Sequence, residues 1–305
     1  MKRSVLFLLL TAVLGSTAFP AAAQTEAGAN EAMGSLRIDR DPVLQSMAGA
    51  GFAMTSTSQT YAAFGNPAAA AFSPSKLEAG LSYGSWSPRY VAGSNLSLGV
   101  TGHVKKNVAL SLGFSRIGYP GLDFEPSSAF KPSDLLVRAG VGFGVSESFA
   151  IGFTAGYAKE ALLSDYSLSA FSVSALAQYH REGLNVVGGL VHLGGKVDSQ
   201  YPLPSSARLA TDYEIVFGGG NLHIAVDGDY YFSGNYSVAL GLNCGIGGIG
   251  FLRGGYRIAS DSAAIPSGLG LGAGLAWNGI ALDVSFLTAS ETLGGSWMAG
   301  LSYRF

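Results

Sequence analysis

The feature that most constrains the fold of this chain is the alternation in its last twelve residues, GGSWMAGLSYRF. A side-chain period of two is typical of a β-strand, so this stretch has one apolar face and one small or polar face. The apolar positions are Trp297, Ala299, Leu301, Tyr303 and Phe305. Such a face packs on the core of a sandwich or faces lipid around a barrel. One strand does not decide between the two, but the number of its copies does.

The same alternation recurs along most of the chain after Pro74. We count fourteen alternating segments, an even number, as expected for an up-and-down barrel in an outer membrane. They cover residues 77–86, 91–103, 108–115, 135–145, 149–158, 168–180, 184–193, 208–217, 222–231, 236–246, 250–259, 268–277, 280–288 and 294–305.

The connections between these segments alternate in length. The short ones lie on one side, at residues 105–107, 146–148, 181–183, 218–221, 247–248 and 278–279. The longer ones lie on the other side, at residues 117–134, 159–165, 194–207 and 260–267. Outer-membrane barrels have short turns at one end and longer loops at the other. The sequence therefore predicts an all-β fold, a transmembrane antiparallel β-barrel of about 14 strands, in preference to a secreted sandwich or solenoid.

Composition agrees with that fold. Hydrophobic residues make up 48% of the chain and charged residues only 12%, with a mean hydropathy of +0.30. Beyond the N-terminus we find no run of the ~18 apolar residues that a spanning helix needs. Half-apolar strands distribute hydrophobicity in this way. The formal net charge of -2 gives no reason to expect a nucleic-acid partner.

The N-terminus has the pattern of a secretory signal. Met1-Lys2-Arg3 precedes an apolar stretch at 5–13, and Ala21-Ala22-Ala23 is a cleavage site of the A-x-A type. We expect residues 1–23 to be the signal peptide, residues 24–75 an N-terminal plug or hatch, and residues 76–305 the barrel. The expected location is the outer membrane of a Gram-negative bacterium, where outer-membrane lipid would be a partner.

The plug prediction rests on small residues. Gly49 and Gly51 lie in an Ala/Gly-rich run that permits close backbone approach, and Asn66-Pro67-Ala68 indicates a turn that leads into the first strand. Inward glycines of the strands, such as those at 270, 272 and 274, leave room for such a segment. The charged residues at 37 and 39–41 are expected to pair with inward charges of the strands.

Strand parity places a set of charged residues on the inner face. They either pair with one another and with the plug, or form a polar network that holds the plug shut. The set comprises Arg138, Arg208, Asp212, Glu214, Asp227, Asp229, Asp283 and Arg304, together with His223.

No pattern in the sequence indicates catalysis. The four histidines, at 103, 180, 192 and 223, are scattered over different strands, which disfavours a metal site. No helix follows the glycine-rich stretches to bind a phosphate, and no G-x-S-x-G elbow is present. We therefore expect no enzymatic activity, no catalytic residue, no metal and no cofactor.

The motif G-A-G-x-A at 49–53, the Asn66-Pro67-Ala68 motif, the fourteen segments and the terminal aromatic together resemble the PorV/PorQ proteins of the FadL superfamily. The resemblance implies a plugged barrel that serves type IX secretion by docking or receiving secreted proteins. Its alternative implication is a FadL-like channel for uptake of hydrophobic small molecules. The modest outer loops favour secretion. Tyr303 and Phe305 resemble the signal read by the barrel assembly machinery, a further expected partner.

Overall fold

In a computed structural model of the chain, the described residues are 31–87, 92–120, 130–260, 263, 265–288 and 295–305. The predicted signal peptide (1–23) and the first residues of the predicted plug (24–30) lie outside them, as does Val91, the predicted first residue of the second strand. Among the described residues, no helix combines the length and the apolar character needed to cross a bilayer.

The described residues form fourteen strands, and their bounds lie within a few residues of the predicted ones. They are β1 (Leu77–Trp86), β2 (Gly93–Lys105), β3 (Val108–Gly118), β4 (Ser133–Gly144), β5 (Phe149–Ala161), β6 (Ser167–Arg181), β7 (Leu184–Leu193), β8 (Ser206–Phe217), β9 (Gly220–Tyr231), β10 (Tyr236–Ile246), β11 (Gly250–Ala259), β12 (Gly268–Trp277), β13 (Ile280–Leu287) and β14 (Ser296–Arg304).

Each strand pairs antiparallel with its sequence neighbours, and β1 pairs with β14 to close the ring. The closed fourteen-stranded barrel is the predicted fold. Alternation determines which side chains lie outside: in β14, Trp297 is 45% exposed and Leu301 46%, whereas Ser296 is 0% exposed. A soluble protein does not leave so many large apolar side chains uncovered along every strand.

The two ends of the barrel differ as predicted. We call the end with the connections at 106–107, 182–183 and 278–279 the short-turn end, and the opposite end the long-connection end. Along the described strands, two departures from regular pairing occur, one in β2 between His103 and Lys105 and one between β6 and β7. At the second, His192 adopts a positive φ of 56°. Bulges of this kind redirect the side chains beside them.

Residues 31–76, which we call the inner segment, lie within the barrel. They contain a 3-10 turn (Gly34–Arg37) and two short helices, α1 (Pro42–Ser46) and α2 (Pro67–Ala70). Each helix begins with a capping Asp or Asn that is followed by proline. The side chain of Asp41 accepts a hydrogen bond from the N–H of Val43. The side chain of Asn66 accepts hydrogen bonds from the N–H groups of Ala68 and Ala69. The turn predicted at Asn66-Pro67 is therefore wrong: the pair begins a helix, because an Asx oxygen satisfies free N–H groups at a helix start.

The inner segment runs from one end of the barrel to the other. Its first residues lie at the long-connection end, where the N–H of Ala32 donates to the carbonyl of Pro202 (3.0 Å). Its last residues lie at the short-turn end, where the carbonyl of Ser75 is 3.0 Å from Nδ1 of His103. Inward glycines admit it: a Cβ on Gly255 would lie 2.2 Å from the carbonyl oxygen of Met47, and one on Gly270 2.5 Å from the N of Ala48.

Candidate functional site

The glycine motif of the inner segment is held by a carboxylate of the wall. Gly49 and Gly51 have φ values of 87° and 99°, which residues with side chains rarely adopt. This backbone directs the N–H groups of Gly51 and Phe52 toward Asp227 on β9, at 3.0 and 3.1 Å. Two neighbouring N–H groups around one carboxylate form an anion-binding concavity of the kind found in nests. The motif thus fixes the middle of the inner segment to the wall.

A second anchor joins Asn66 to the wall. Its Nδ2 donates to Oε1 of Gln178 on β6 (2.6 Å) and to the carbonyl of Phe52 (3.0 Å). Gln178 in turn donates to the carbonyl of Ala53 (2.8 Å). Beyond Asn66, Pro67 and Ala68 lie against inward glycines of β4 and β5, at Gly142 and Gly152. Both amides are buried, so losing either partner would leave an unsatisfied polar group.

The charged residues at 37, 39 and 40 have partners outside the set of inward charges singled out from the sequence. Asp39 pairs with Arg257 on β11 at 3.5 Å, and Arg257 also donates to the carbonyl of Ala48 (2.8 Å). Arg37 pairs with Glu31 of the inner segment itself. Arg40 donates to the carbonyl of Ser35 (2.7 Å) and to Oγ of Ser115 on β3 (3.2 Å).

Burial changes the ionisation of two of these groups. Desolvation lowers the pKa of Arg40 to about 10 against the opposing charges of Asp134 and Asp39, so its guanidinium stays charged at neutral pH. Desolvation also raises the pKa of Asp41 to about 7, and the hydrogen bond from the N–H of Val43 opposes the shift. Burial therefore favours the neutral form of the Asp41 carboxyl, whereas Arg40 keeps its charge.

The predicted inward charges form separate groups around the wall. Arg208 and Asp229 make a two-pronged pair (2.8 and 2.7 Å), and Arg253 binds Asp283 at 2.6 Å. Arg304 lies 3.7 Å from Glu78. Each pair joins neighbouring or near-neighbouring strands.

Three further predicted residues are held by neutral groups or by histidine. Arg138 donates to Oγ1 of Thr154 (2.5 Å) and Oγ of Ser174 (3.1 Å). Asp212 lies 3.1 Å from Nδ1 of His223, and Glu214 accepts from Asn221 at 2.7 Å. Within the described residues, no group of three or more metal-binding side chains is arranged to hold an ion.

Some wall residues in this site were not singled out from the sequence. Glu78 accepts from Oγ of Ser58 and from the N–H of Gln59, both at 2.7 Å. Glu78 and Arg253 lie on correctly predicted strands, at positions whose alternation directs the side chain inward. Applying the alternation rule to every charged residue would therefore have identified both. His192 lies at the bulge of β7, 3.2 Å from Arg138, where strand parity does not apply.

A cavity of about 90 Å³ lies between the inner segment and the wall. Part of its lining is aromatic, with Phe52, Tyr61 and Phe64 from the inner segment and Tyr231 from β9. Part is cationic: the guanidinium of Arg37 stacks 3.6 Å from the ring centre of Tyr231, and that of Arg208 lies 4.3 Å from that of Phe52. Both guanidiniums are also paired with carboxylates, Arg37 with Glu31 and Arg208 with Asp229. The cavity thus places aromatic rings beside stacked, paired cations.

The two residues of the predicted assembly signal lie on the outer face at the short-turn end. Tyr303 is 40% exposed and Phe305 65%, and their rings meet edge to face at 4.5 Å between centres. The N–H of Phe305 donates to the carbonyl of Leu77, which ties the chain end to β1 (2.9 Å). Their role in assembly stays a prediction.

Comparisons with known proteins find similarity in structure alone. No family model matches the chain, and no curated protein matches its sequence. Among solved structures, the toluene transporter TodX of Pseudomonas putida superimposes with a TM-score of 0.62 at 8% identity, over 87% of this chain and 98% of TodX.

Two further structures have the same architecture. A FadL homologue of Pseudomonas aeruginosa has a TM-score of 0.55 at 12% identity, over 87% of this chain and 98% of its own. CymD, a monoaromatic hydrocarbon channel, has a TM-score of 0.56 at 13% identity, over 87% and 97%. The chain therefore shares the overall barrel fold of these proteins.

Proposed function

We propose that this protein is an outer-membrane channel for uptake of hydrophobic small molecules, closed by its inner segment. The observation that carries the proposal is the likeness of the whole barrel to channels for toluene and other monoaromatic hydrocarbons. The uncovered apolar outer face supports a position in lipid. Docking of secreted proteins shares the same fold and has no comparable support.

The inner segment gives this proposal a physical form. A fourteen-stranded ring lined with small residues would enclose a water-filled pore if it were empty. The anchors at Asp227 and Gln178 instead hold the segment across the lumen. What passes must therefore bind between segment and wall, and the cavity beside Phe52, Tyr61 and Tyr231 provides aromatic surface for it. A small aromatic compound fits this chemistry better than an extended polypeptide does.

The experiment is uptake of radiolabelled toluene by Gram-negative cells whose outer membrane otherwise resists it. Ala62 lines the cavity and is 5% exposed, so Ala62→Trp should fill the space. Ala155→Trp adds the same side chain on the exposed outer face of β5 and serves as the matched control. We expect uptake with the wild type and with Ala155→Trp to exceed that of cells without the protein, and Ala62→Trp to return it to background.

Two results would count against the proposal, with different meanings. If cells that carry the wild-type protein take up no more toluene than cells that lack it, toluene is not a substrate and the proposed substrate class is wrong. Unchanged uptake by a correctly assembled Ala62→Trp barrel would show that the route avoids this cavity.

A further inference from the structure

A serine, a histidine and an aspartate meet at the wall of the lumen. Oγ of Ser56, on the inner segment, lies 3.1 Å from Nε2 of His223 on β9. On the other side of the ring, Nδ1 of His223 lies 3.1 Å from both carboxylate oxygens of Asp212 on β8. These contacts join a hydroxyl to a base and the base to an orienting carboxylate, which is the geometry of an activated nucleophile.

The hydrogen bonds determine where the proton of the imidazole lies. An ionised carboxylate only accepts, so Nδ1 carries the proton that binds Asp212. In the neutral ring Nε2 is then an acceptor, and it receives the hydroxyl of Ser56 at 3.1 Å. This is the tautomer that a general base toward serine requires.

The base and the carboxylate are firmly held while the hydroxyl is accessible. His223 is 1% exposed and Asp212 0%, and Asp212 also accepts from Nδ2 of Asn185 at 3.0 Å. Ser56 is exposed. His223 lies close to the start of β9, so the group sits near the short-turn end. The exposed hydroxyl is the part of the group that a substrate can reach.

The charged neighbours of His223 are Asp212 and Glu214. Glu214 lies 3.6 Å from Nε2 and accepts from Nδ2 of Asn221 at 2.7 Å. Asn221 thus lies beside Nε2 with its amide engaged by Glu214. The site contains a nucleophile, a base and a group that orients the base.

We propose that Ser56, His223 and Asp212 form a serine esterase centre at the short-turn end of the lumen, acting on carboxylic esters. Oγ of Ser56 attacks the ester carbonyl carbon while its proton passes to Nε2 of His223. The C–O bond to the alcohol breaks and the proton moves from Nε2 to the departing oxygen. Water then attacks the acyl-serine by the same route, which releases the carboxylic acid and restores the hydroxyl of Ser56. This activity does not depend on the proposed uptake.

The test uses the full-length protein, purified in detergent and checked for its heat-modifiable barrel. It is treated with a fluorophosphonate probe, which bonds covalently to activated serines, and it is assayed separately with p-nitrophenyl butyrate. We expect an adduct on the peptide that contains Ser56, together with measurable ester turnover. Ser56→Ala should abolish both, and because Ser56 is exposed this change should not disturb the fold.

The matched control is Thr57→Ala, which removes the neighbouring hydroxyl and should keep labelling and turnover. Asp212→Asn should lower turnover roughly 10³- to 10⁴-fold, because the ring loses its correct tautomer. A folded wild-type barrel that takes no label would overturn the proposal, as would equal labelling of Ser56→Ala. Labelling of Ser56 without ester turnover would overturn the esterase assignment.

Discussion

The outer and inner faces of the barrel wall come from the same strands and meet opposite environments. Outward side chains such as Leu240 and Leu301 are about half exposed and have no protein covering them. Inward side chains such as Gln178, Asp227 and Ser285 are buried and hydrogen bonded to the inner segment. The outer face follows one rule, that it be apolar, whereas the inner face depends on specific partners.

This difference determines how each face tolerates change. An outer position accepts any apolar side chain, because its environment is uniform. An inner position accepts only what its particular neighbour leaves room for, because interiors are close-packed and buried polar groups need partners. Four experiments test this contrast, in order of decreasing expected effect.

The largest effect should follow deletion of the part of the inner segment that packs on the inner face of the wall. Deleting residues 35–60 removes α1 and the anchor at Asp227, so the small-residue lining should enclose water. We expect large, stable single-channel currents in planar bilayers from a barrel that still assembles, against low conductance of the intact chain. Porin-like conductance of the intact protein, or no change on deletion, would contradict a closing role for the segment.

A charge at the middle of the outer face should have the next largest effect. Leu240 lies near the centre of β10 and is 52% exposed, so Leu240→Arg should destabilise the barrel by about 2–4 kcal/mol in lipid vesicles. Tyr236→Arg, at the end of the same strand, should cost only about 0–1 kcal/mol. Guanidinium unfolding measures both free energies. Equal costs at the two depths would show that this face is not in a bilayer.

A pair of glycines compares the faces directly. A Cβ at inward Gly255 would lie 2.2 Å from the carbonyl oxygen of Met47, whereas one at outward Gly188 finds its nearest atom at 3.6 Å, in the side chain of Leu209. Gly255→Val should therefore cost about 1–3 kcal/mol by overpacking and increase leak currents. Gly188→Val should do neither. If Gly255→Val changes neither the stability of the barrel nor its leak current, the inner segment is only loosely packed against the wall.

The smallest effect is expected at the rim of the outer face. Tyr303→Asp puts a charge near the short-turn end of β14 and should cost at most about 1 kcal/mol, since the penalty falls toward the interface. If Tyr303 and Phe305 are read during assembly, this variant and a chain lacking Phe305 should be less abundant in the membrane. Tyr303→Phe keeps the aromatic ring and should assemble normally. If Tyr303→Asp and the chain lacking Phe305 both reach wild-type levels in the membrane, these two residues have no role in assembly.

Sequence reasoning was accurate where one rule governs many residues. β1 and β7 have the predicted bounds, because alternation and hairpin turns are local signals. The sequence did not predict which residues pair on the inner face, because these partners come from distant parts of the chain. Asp39 pairs with Arg257, and Ser56 contacts His223. The bulge that turns His192 into the lumen also has no period-two signature. Asn66-Pro67 gave the right kind of signal, but its reading as a turn ignored its capping chemistry.

The length of chain between the contacts of the inner segment has a consequence for the order of folding. Ser285 binds Gln45 across 240 residues, and Asp227 binds Gly51 across 176. Contacts so far apart form late, because the intervening loop must first be closed. The segment is made before its binding partners and reaches its final position only when β9 to β13 exist. Its docking therefore follows the synthesis of most of the wall that holds it.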